Sequence, residues 1–320
     1  MTGAAIVADI GGTNARFALV EESALGPIVR DVTRYRAKEF ATIEDAARAF
    51  LDQEGVRPAR ACFAVAAPLS GDQVRFTNSP WEFGVESLKH ALALDEFSVV
   101  NDFHALAAGA VNLPTDGWCQ VKDGEGDPFA PRLVIGPGTG LGQAYVVETN
   151  GVLHIVTTEG GHVAFAPSND KQIEILRYLT QDLGRVTIEH VISGQGIVNI
   201  YRALQAIDGD EKEIPSPDEI TRTAIDQSNP MAVEAVSLFC EFLGRAAGDA
   251  VLSVGARGGV FIGGGIVPKI KDFFLSSRFI GAFCDKGDMC DYVAPVPVKL
   301  IVEEHTALIG SAHLLQHTIR

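Results

Sequence analysis

The chain has 320 residues, of which 47% are apolar and 21% are charged, and its formal net charge is −15. This is globular composition, with enough apolar material for one large core or two ordinary ones, and it excludes a disordered chain. Lys and Arg form no cluster that would attract nucleic acid, no apolar stretch reaches the roughly 20 residues of a membrane span, and no secretory signal pattern opens the sequence. We therefore expect a cytoplasmic protein that binds neither nucleic acid nor a membrane.

Residues 7–20 place a Gly-Gly-Thr-Asn turn between two apolar runs, and residues 133–147 repeat this pattern. One shift of the sequence superposes four identical residues: Gly12 on Gly138, Thr13 on Thr139, Ala18 on Ala144 and Val20 on Val146. We infer two related halves, each beginning with a β-hairpin.

Strands and helices alternate between the two hairpins, which predicts a layered α/β domain. The predicted elements are a strand at 61–66, a helix at 85–94, a strand at 97–100 and a helix at 103–110. The proline-bearing stretch 112–131 predicts the crossing into the second domain. With the helical last residues returning to the first domain, the predicted domains are 1–111 with 302–320, and 112–301.

The second half contains two helices with clear periodicity. Residues 170–183 form an amphipathic pattern that ends at Gly184, and residues 232–254 form a core helix rich in small residues. The acidic stretch 207–219 predicts a solvated loop, and the apolar run that follows the core helix predicts a strand ending in three glycines.

The cysteines do not predict a metal site. Their number is odd and no pair has CxxC or CxC spacing, so reduced thiols and no zinc are expected at Cys62, Cys119, Cys240, Cys284 and Cys290.

Three glycine-rich turns adjoin apolar strands, at residues 11–14, 138–142 and 263–265. Glycines let backbone N–H groups approach an anion closely, so together these turns predict a site for nucleotide phosphates. The patterns of a P-loop and of a Rossmann dinucleotide site are both absent from the sequence.

Asp9 precedes the first turn and would repel a phosphate unless a hard cation such as Mg²⁺ lay between them, through water. The alternative is a carboxylate that caps its own turn. Asn101 and Asp102 follow a predicted strand, where open α/β sheets present ligand-binding groups, and Asp102 is the candidate general base. The alternative for this pair is the N-cap of the next helix.

Glu159 and His162 add a hydrogen-bond acceptor and a switchable donor, and the two glycines between them allow both side chains to turn the same way. Glu189 is the weakest candidate, because an acid that follows a Thr187 cap at a helix start needs no further function.

Together these residues resemble the bacterial glucokinase family, within the actin-like ATPase and sugar-kinase superfamily. The similar stretches span the chain: "DIGGTNAR" at 9–16, "TNSPW" at 77–81, "NDF" at 101–103, "GTGLG" at 138–142, "EGGH" at 159–162, the segment around Glu189, and "GGVFIGGGIVP" at 258–268. The resemblance implies a two-domain actin-like ATPase fold of the ribonuclease H-like kind, with a duplicated mixed-sheet core and an interdomain cleft. It also implies a homodimer.

By the same resemblance, the protein phosphorylates D-glucose at the 6-hydroxyl with ATP and Mg²⁺, and Asp102 is the base. The implied glucose contacts are Asn78, Asn101, Asp102, Glu159, His162 and Glu189. The implied ATP and Mg²⁺ contacts are Asp9, Ile10, Gly11, Gly12, Thr13, Asn14, Gly138, Thr139, Gly140, Gly263, Gly264 and Gly265.

Two alternatives stay open from the sequence: a kinase for another hexose, and a non-catalytic sugar sensor. Asp102 and the complete set of nucleotide turns argue against the sensor. The absence of a cysteine cluster after the E-x-G-H segment disfavours the zinc-dependent branch of related sugar kinases.

Overall fold

The computed structural model of the chain describes residues 5–24, 26–67, 69–76, 81–209 and 213–317. The chain divides into two compact units, Met1–Gly117 with Glu303–Arg320, and Trp118–Val302. The sequence analysis predicted the first crossing at 111/112, six residues before the observed one at 117/118. It predicted the second at 301/302, one residue before the observed one at 302/303. Within the described ranges, no helix combines the length and the apolar character that a membrane span requires.

The described residues contain fourteen strands. They are β1 (Ala5–Ile10), β2 (Asn14–Ser23), β3 (Gly26–Arg36), β4 (Arg60–Val65), β5 (Leu69–Ser70), β6 (Gln73–Arg75), β7 (Glu82–Gly84), β8 (Glu96–Asn101), β9 (Trp118–Lys122), β10 (Arg132–Pro137), β11 (Leu141–Thr149), β12 (Val152–Thr158), β13 (Gly259–Ile262) and β14 (Val298–Ile301).

The α-helices of the described residues number eleven. They are α1 (Ile43–Glu54), α2 (Val85–Ala91), α3 (Asp102–Ala110), α4 (Asp170–Leu183), α5 (Gly194–Asp208), α6 (Pro217–Ile225), α7 (Pro230–Val254), α8 (Lys271–Leu275), α9 (Phe279–Cys284), α10 (Cys290–Val293) and α11 (Thr306–His317).

The helix ends follow from capping chemistry. The Asn169 side chain accepts a hydrogen bond from the N–H of Gln172 at the start of α4, and Gly184 ends that helix with a φ of 65°. Asn229 caps α7 and Pro230 takes the first helical position, where a missing N–H costs nothing. The predicted helices at 170–183 and 232–254 are therefore confirmed. The second begins two residues earlier than predicted, at Pro230.

The two units repeat one sheet arrangement. The first unit holds a five-stranded sheet of order β3-β2-β1-β4-β8, and the second a six-stranded sheet of order β12-β11-β10-β13-β14-β9. In each, a hairpin and a third antiparallel strand are followed by two strands parallel to the first strand of the hairpin, and the second sheet adds β9 at its edge. The predicted duplicated mixed-sheet core with its two hairpins is confirmed.

The predicted crossing segment 112–131 contains the division between the units, and it also contains β9, a strand that the sequence did not predict, which pairs antiparallel with β14 at the edge of the second sheet. This strand is short, carries polar residues at alternate positions and is bounded by proline-containing turns, so its sequence resembles a loop. Tertiary pairing with β14 decides its structure.

Each sheet is covered by its own apolar core. In the first unit, β1 buries every residue except Asp9, and α1 packs Phe50 against Phe17 of β2 with ring centroids 5.8 Å apart. The other face of this sheet packs on α11 through Leu308 and Leu315. Burial of each such side chain contributes about 1.5 to 3 kcal/mol, so this packing stabilises the sheet whose strands carry Asp9 and Asn101.

Helices α3 and α11 of the first unit cross at very close range. A Cβ atom built on Gly310 would lie 1.8 Å from the carbonyl oxygen of Ala105, and one built on Gly109 would lie 2.0 Å from that of Thr306. Only glycine permits this separation. The crossing therefore fixes α3, the helix that begins with Asp102.

Candidate functional site

Three candidate residues of the first unit meet at one edge of its sheet. Strands β1, β4 and β8 run parallel, and the register pairs Asp9 with Ala64 and Val65 with Asn101. Their carboxyl ends therefore lie side by side, the position at which open α/β sheets bind ligands. Asp102, the residue after β8, stands at the same edge.

Asp9 is paired with an arginine. Arg16, its cross-strand neighbour on β2, donates from Nη1 to Asp9 Oδ2 at 2.9 Å. The Asp9 side chain keeps 23% of its exposure. The alternative in which Asp9 caps its own turn is not what the structure shows, because the turn closes through the N–H of Gly11 and the carbonyl of Asn14, 2.9 Å apart.

The capping role at the start of α3 falls to Asn101. Its Oδ1 accepts the N–H of Phe103 at 2.9 Å, and Asp102 Oδ1 accepts the same N–H at 2.9 Å. Asp102 is thus the first residue of the helix rather than its cap. The Asn101 side chain also hydrogen-bonds to the Asp102 carboxylate.

The surroundings of Asp102 raise the pKa of its carboxyl. Burial raises the pKa of this carboxyl to about 6, the hydrogen bond from Phe103 opposes that shift, and the charge of Asp9 adds to it. Burial likewise raises the pKa of Asp9, against the opposing charges of Arg16 and His305. A carboxyl with a pKa near neutrality can both accept and release a proton at physiological pH, as a general base must.

The three glycine turns share one feature: each has two successive backbone N–H groups that hydrogen-bond to no described residue. The pairs are Gly12 and Thr13, Thr139 and Gly140, and Gly264 and Gly265. Such consecutive free donors form an anion-binding concavity. Ile10 differs, since its side chain is fully buried and its carbonyl accepts the N–H of Ala66.

Two of these turns are in direct contact within the second unit. Gly263 donates its N–H to Ile135 O at 2.8 Å, and a Cβ on Gly264, whose φ is 79°, would lie 2.3 Å from the carbonyl oxygen of Pro137. The turn at 138–140 also accepts the N–H of Gly194, the first residue of α5, at Gly138 O. The structure thus brings Gly138–Gly140 and Gly263–Gly265 together.

Glu189 does not begin a helix, and the prediction that it follows a Thr187 cap is wrong. Thr187 donates its N–H to His190 Nδ1 instead, and the next helix begins at Gly194 under a Ser193 cap. Glu189 Oε2 accepts the N–H of Leu141 at 2.7 Å. The carboxylate is therefore held beside the 138–140 turn, and a Cβ on Gly140 would lie 2.5 Å from it.

Glu159 and His162 are exposed at the two ends of a 3₁₀ turn, Gly160–His162. Their side chains are 92% and 60% exposed and lie 3.9 Å apart between Oε2 and Nε2. The main chain of this turn is linked to Glu189, whose N–H donates to Gly161 O at 3.0 Å. All three polar candidates of the second unit therefore belong to one connected segment.

Gly161 is required by a close approach. A Cβ there would lie 2.4 Å from the carbonyl oxygen of Leu141, a backbone atom that cannot move aside. The sequence analysis explained the two glycines by the direction of the flanking side chains. The structure adds a second reason at Gly161, which is its close packing on β11.

The candidates form two groups. Asp9, the 11–14 turn, Asn101 and Asp102 belong to the first unit, and the remaining described candidates belong to the second. Asn78 lies outside the described residues. In the ranges that are described, no three His, Cys, Asp or Glu residues are close enough together to hold a metal ion.

Two residues that the sequence analysis did not single out belong to this description. Arg16 lies inside the "DIGGTNAR" stretch, between the apolar residues Ala15 and Phe17 of β2. The alternation of polar and apolar residues along the strand could have predicted that Arg16 shares a face of the sheet with Asp9. Gln143 is a buried polar residue beside Gly160, and only the tertiary structure reveals that contact.

Comparison with known proteins identifies the family. The Glucokinase family model matches residues 6–318. A glucokinase of Marinobacter nauticus is 42% identical over 97% of this chain and 96% of that protein. The crystal structure of a glucokinase from an Antarctic psychrotroph is 36% identical, covers 99% of this chain and 100% of its own, and superposes with a TM-score of 0.90.

More distant structures share the fold. A ROK family glucokinase from Streptomyces griseus, solved in complex with glucose and AMPPNP, is 18% identical, covers 98% of this chain and 100% of its own, and has a TM-score of 0.66. The fold is that of the actin-like ATPases. The chain belongs to the glucokinase family of sugar kinases.

Proposed function

We propose that this protein transfers the γ-phosphoryl group of ATP to the 6-hydroxyl of D-glucose and that Asp102 is the general base. The observation that carries this proposal is the placement of Asp102: it lies at the carboxyl edge of the first sheet, beside Asp9, with a pKa of about 6. Family membership supports the sugar and the reaction class.

Asp102 accepts the proton of the 6-hydroxyl as that oxygen attacks the γ-phosphorus and the bond to the leaving ADP oxygen breaks. Since phosphoryl transfer has a loose transition state, the remaining groups act mainly by alignment and by neutralising charge. Positive charge and backbone N–H donors therefore contribute more to stabilising this transition state than a protein nucleophile would.

The free amides of the three turns are assigned to the phosphates of ATP. The nucleotide contacts proposed are Asp9, Gly11–Asn14, Gly138–Gly140 and Gly263–Gly265, with Ile10 restricted to its backbone because its side chain is buried. Arg16 adds a cation beside Asp9.

The residues present fit a magnesium ion. Mg²⁺ binds one or two carboxylates together with phosphates and several waters, and a single part-exposed carboxylate at Asp9 meets that requirement without a larger protein cluster. The ion would neutralise charge on the phosphates when bound.

The sugar contacts proposed are Asn101, Asp102, Glu159, His162 and Glu189, and by family resemblance Asn78. The Glu159 and His162 side chains are largely exposed, so their polar groups can reach a sugar's hydroxyls. Several such hydrogen bonds reject analogues that lack a hydroxyl, since an unpaired buried polar group is costly.

The test is a coupled assay of the purified protein against a panel of hexoses and nucleoside triphosphates, with and without Mg²⁺. Highest kcat/KM for D-glucose with MgATP is expected. Equal or higher kcat/KM for mannose or an amino sugar would contradict the assignment of D-glucose as the substrate. Sugar binding without turnover would instead indicate a sugar sensor. Light scattering on the same sample tests the proposed homodimer.

A further inference from the structure

Gln143 is an unusual residue for its position in the fold. It lies near the start of β11, is 6% exposed, and under the shift that superposes the two halves it corresponds to Phe17. Phe17 is a fully buried core residue that packs against Phe50 and Phe63. A buried amide in place of an aromatic ring costs free energy unless it is hydrogen-bonded, so its presence needs a reason.

The contacts of Gln143 point to the segment that carries Glu159 and His162. Its Nε2 donates to the hydroxyl of Tyr145 at 2.5 Å, which fixes the orientation of the amide. A Cβ built on Gly160 would lie 2.0 Å from Gln143 Oε1, so this oxygen rests directly on the Gly160 main chain.

The main chain of Gln143 holds the same segment. Its carbonyl accepts the hydroxyl of Thr158 at 3.4 Å, and that hydroxyl accepts the N–H of Gly160 at 3.3 Å. Two residues earlier, Leu141 contacts Gly161 and donates its N–H to Glu189. Leu141 and Gln143 are two residues apart, so they lie on the same face of β11, and together they support one side of the 159–162 turn.

We propose that Gln143 is a positioning residue, which with Tyr145 fixes the 159–162 turn so that Glu159 and His162 are preorganised for the sugar. The inference rests on the proposed function for the identity of the sugar, but the positioning itself rests on contacts within the chain. Preorganisation raises affinity by reducing the ordering cost of binding.

Gln143→Leu tests this by keeping the volume and removing both amide groups. Hydrogen exchange of the peptide spanning 157–165 in the ligand-free protein is expected to be at least 10-fold faster than in the wild type. Glucose Kd by calorimetry is expected to rise about 10-fold, while KM for ATP at saturating glucose stays within about twofold. Tyr145→Phe, which leaves the amide without its partner, is expected to act in the same direction and gives the same readouts if Gln143→Leu does not fold.

A second variant tests the contact itself. Gly160→Ala pushes a methyl group into Gln143 Oε1, and Gln143→Ala removes that obstacle. The double variant is therefore expected to bind glucose more tightly than the two single effects predict, as directly touching residues do. Strict additivity would contradict the contact.

Gln172→Leu is the matched control. Gln172 is a fully buried glutamine of the same unit, and its Nε2 donates to Glu241 at 2.7 Å. It is expected to lower stability without changing glucose Kd. Unchanged exchange of 157–165 in Gln143→Leu and Tyr145→Phe, or equal rises in KM for both substrates, would overturn the inference. A wild type that binds no glucose would instead refute the proposed function, while the exchange data still decide the role of Gln143.

Discussion

Replacing Asp102 with Asn is expected to stabilise the protein while it lowers turnover. The carboxyl has a pKa of about 6 against an ordinary value of 3.8, chiefly because burial disfavours its charged form. One pKa unit corresponds to about 1.4 kcal/mol, so the ionised side chain costs up to about 3 kcal/mol at neutral pH. Asn carries no charge, so it is expected to recover most of this cost, a net gain of about 2 kcal/mol.

The pH dependence gives this prediction its sign. The native state binds a proton more tightly than the unfolded chain, so the destabilising contribution of Asp102 is present above pH 6 and disappears as the pH falls through 6 toward 3.8. The advantage of Asp102→Asn, about 2 kcal/mol at pH 7.5, should therefore fall below about 1 kcal/mol at pH 4. Urea denaturation at both pH values measures it.

Turnover should fall by roughly 10²- to 10⁴-fold in the same variant, since the shape is kept and the proton acceptor is lost. Asp127→Asn is the control of opposite sign, because hydrogen bonds from Phe129 and Arg257 hold the pKa of Asp127 below its ordinary value. That control should lose stability at pH 7.5 and keep its activity. An Asp102→Asn protein that is no more stable than the wild type, or that keeps its kcat, would refute the reasoning.

One further prediction concerns the pH dependence of Asp102, and three concern other contacts. For the wild type, kcat/KM should fall about tenfold per pH unit below pH 6, as the base becomes protonated in the free enzyme. Gly161→Ala should raise KM for glucose at least tenfold, because its methyl group meets Leu141 O. Gly310→Ala should lower the free energy of unfolding by more than about 2 kcal/mol, by overpacking α11 against α3. Lys299→Met should cost about 0.5 to 2 kcal/mol, because the Lys299 ammonium lies 3.7 Å from the centroid of the Trp118 ring.

Each of these four predictions can be contradicted by one measurement. A flat profile between pH 5 and 7 would remove Asp102 from the rate-determining proton transfer. Gly281→Ala, at a helical glycine with open space around it, is the control for both glycine variants and should be neutral or slightly stabilising. A Gly161 or Gly310 variant that matches it would show that the close approaches are tolerated. For Lys299→Met, thermal unfolding at unchanged Tm would exclude a stabilising cation–π contact.

The sequence predicts those parts of the fold whose signal is local. The turn residues between apolar runs predict both hairpins, and the spacing of Ile173, Leu176, Leu179 and Leu183 predicts α4 to the residue. The edge strand β9 escapes prediction because its pairing partner, β14, lies far away along the chain. Short edge strands take their structure from a neighbour rather than from propensity.

The candidate site divides in the same way. The chemical types at Asp9, Asp102 and the glycine turns are legible in the sequence, whereas the raised pKa of Asp102 depends on burial at the sheet edge and on the nearby charge of Asp9. Glu189 shows the limit most clearly. Its sequence suggests a helix start, and only the folded chain brings its carboxylate to the N–H of Leu141.

Rapid-quench measurement of phosphoryl transfer, with the product assigned by phosphorus NMR, tests the central claim most directly. At saturating D-glucose and MgATP, the wild type should form glucose 6-phosphate and Asp102→Asn should transfer the phosphoryl group at least 100-fold more slowly. Phosphate on another hydroxyl, or transfer by the variant at the wild-type rate, would contradict it.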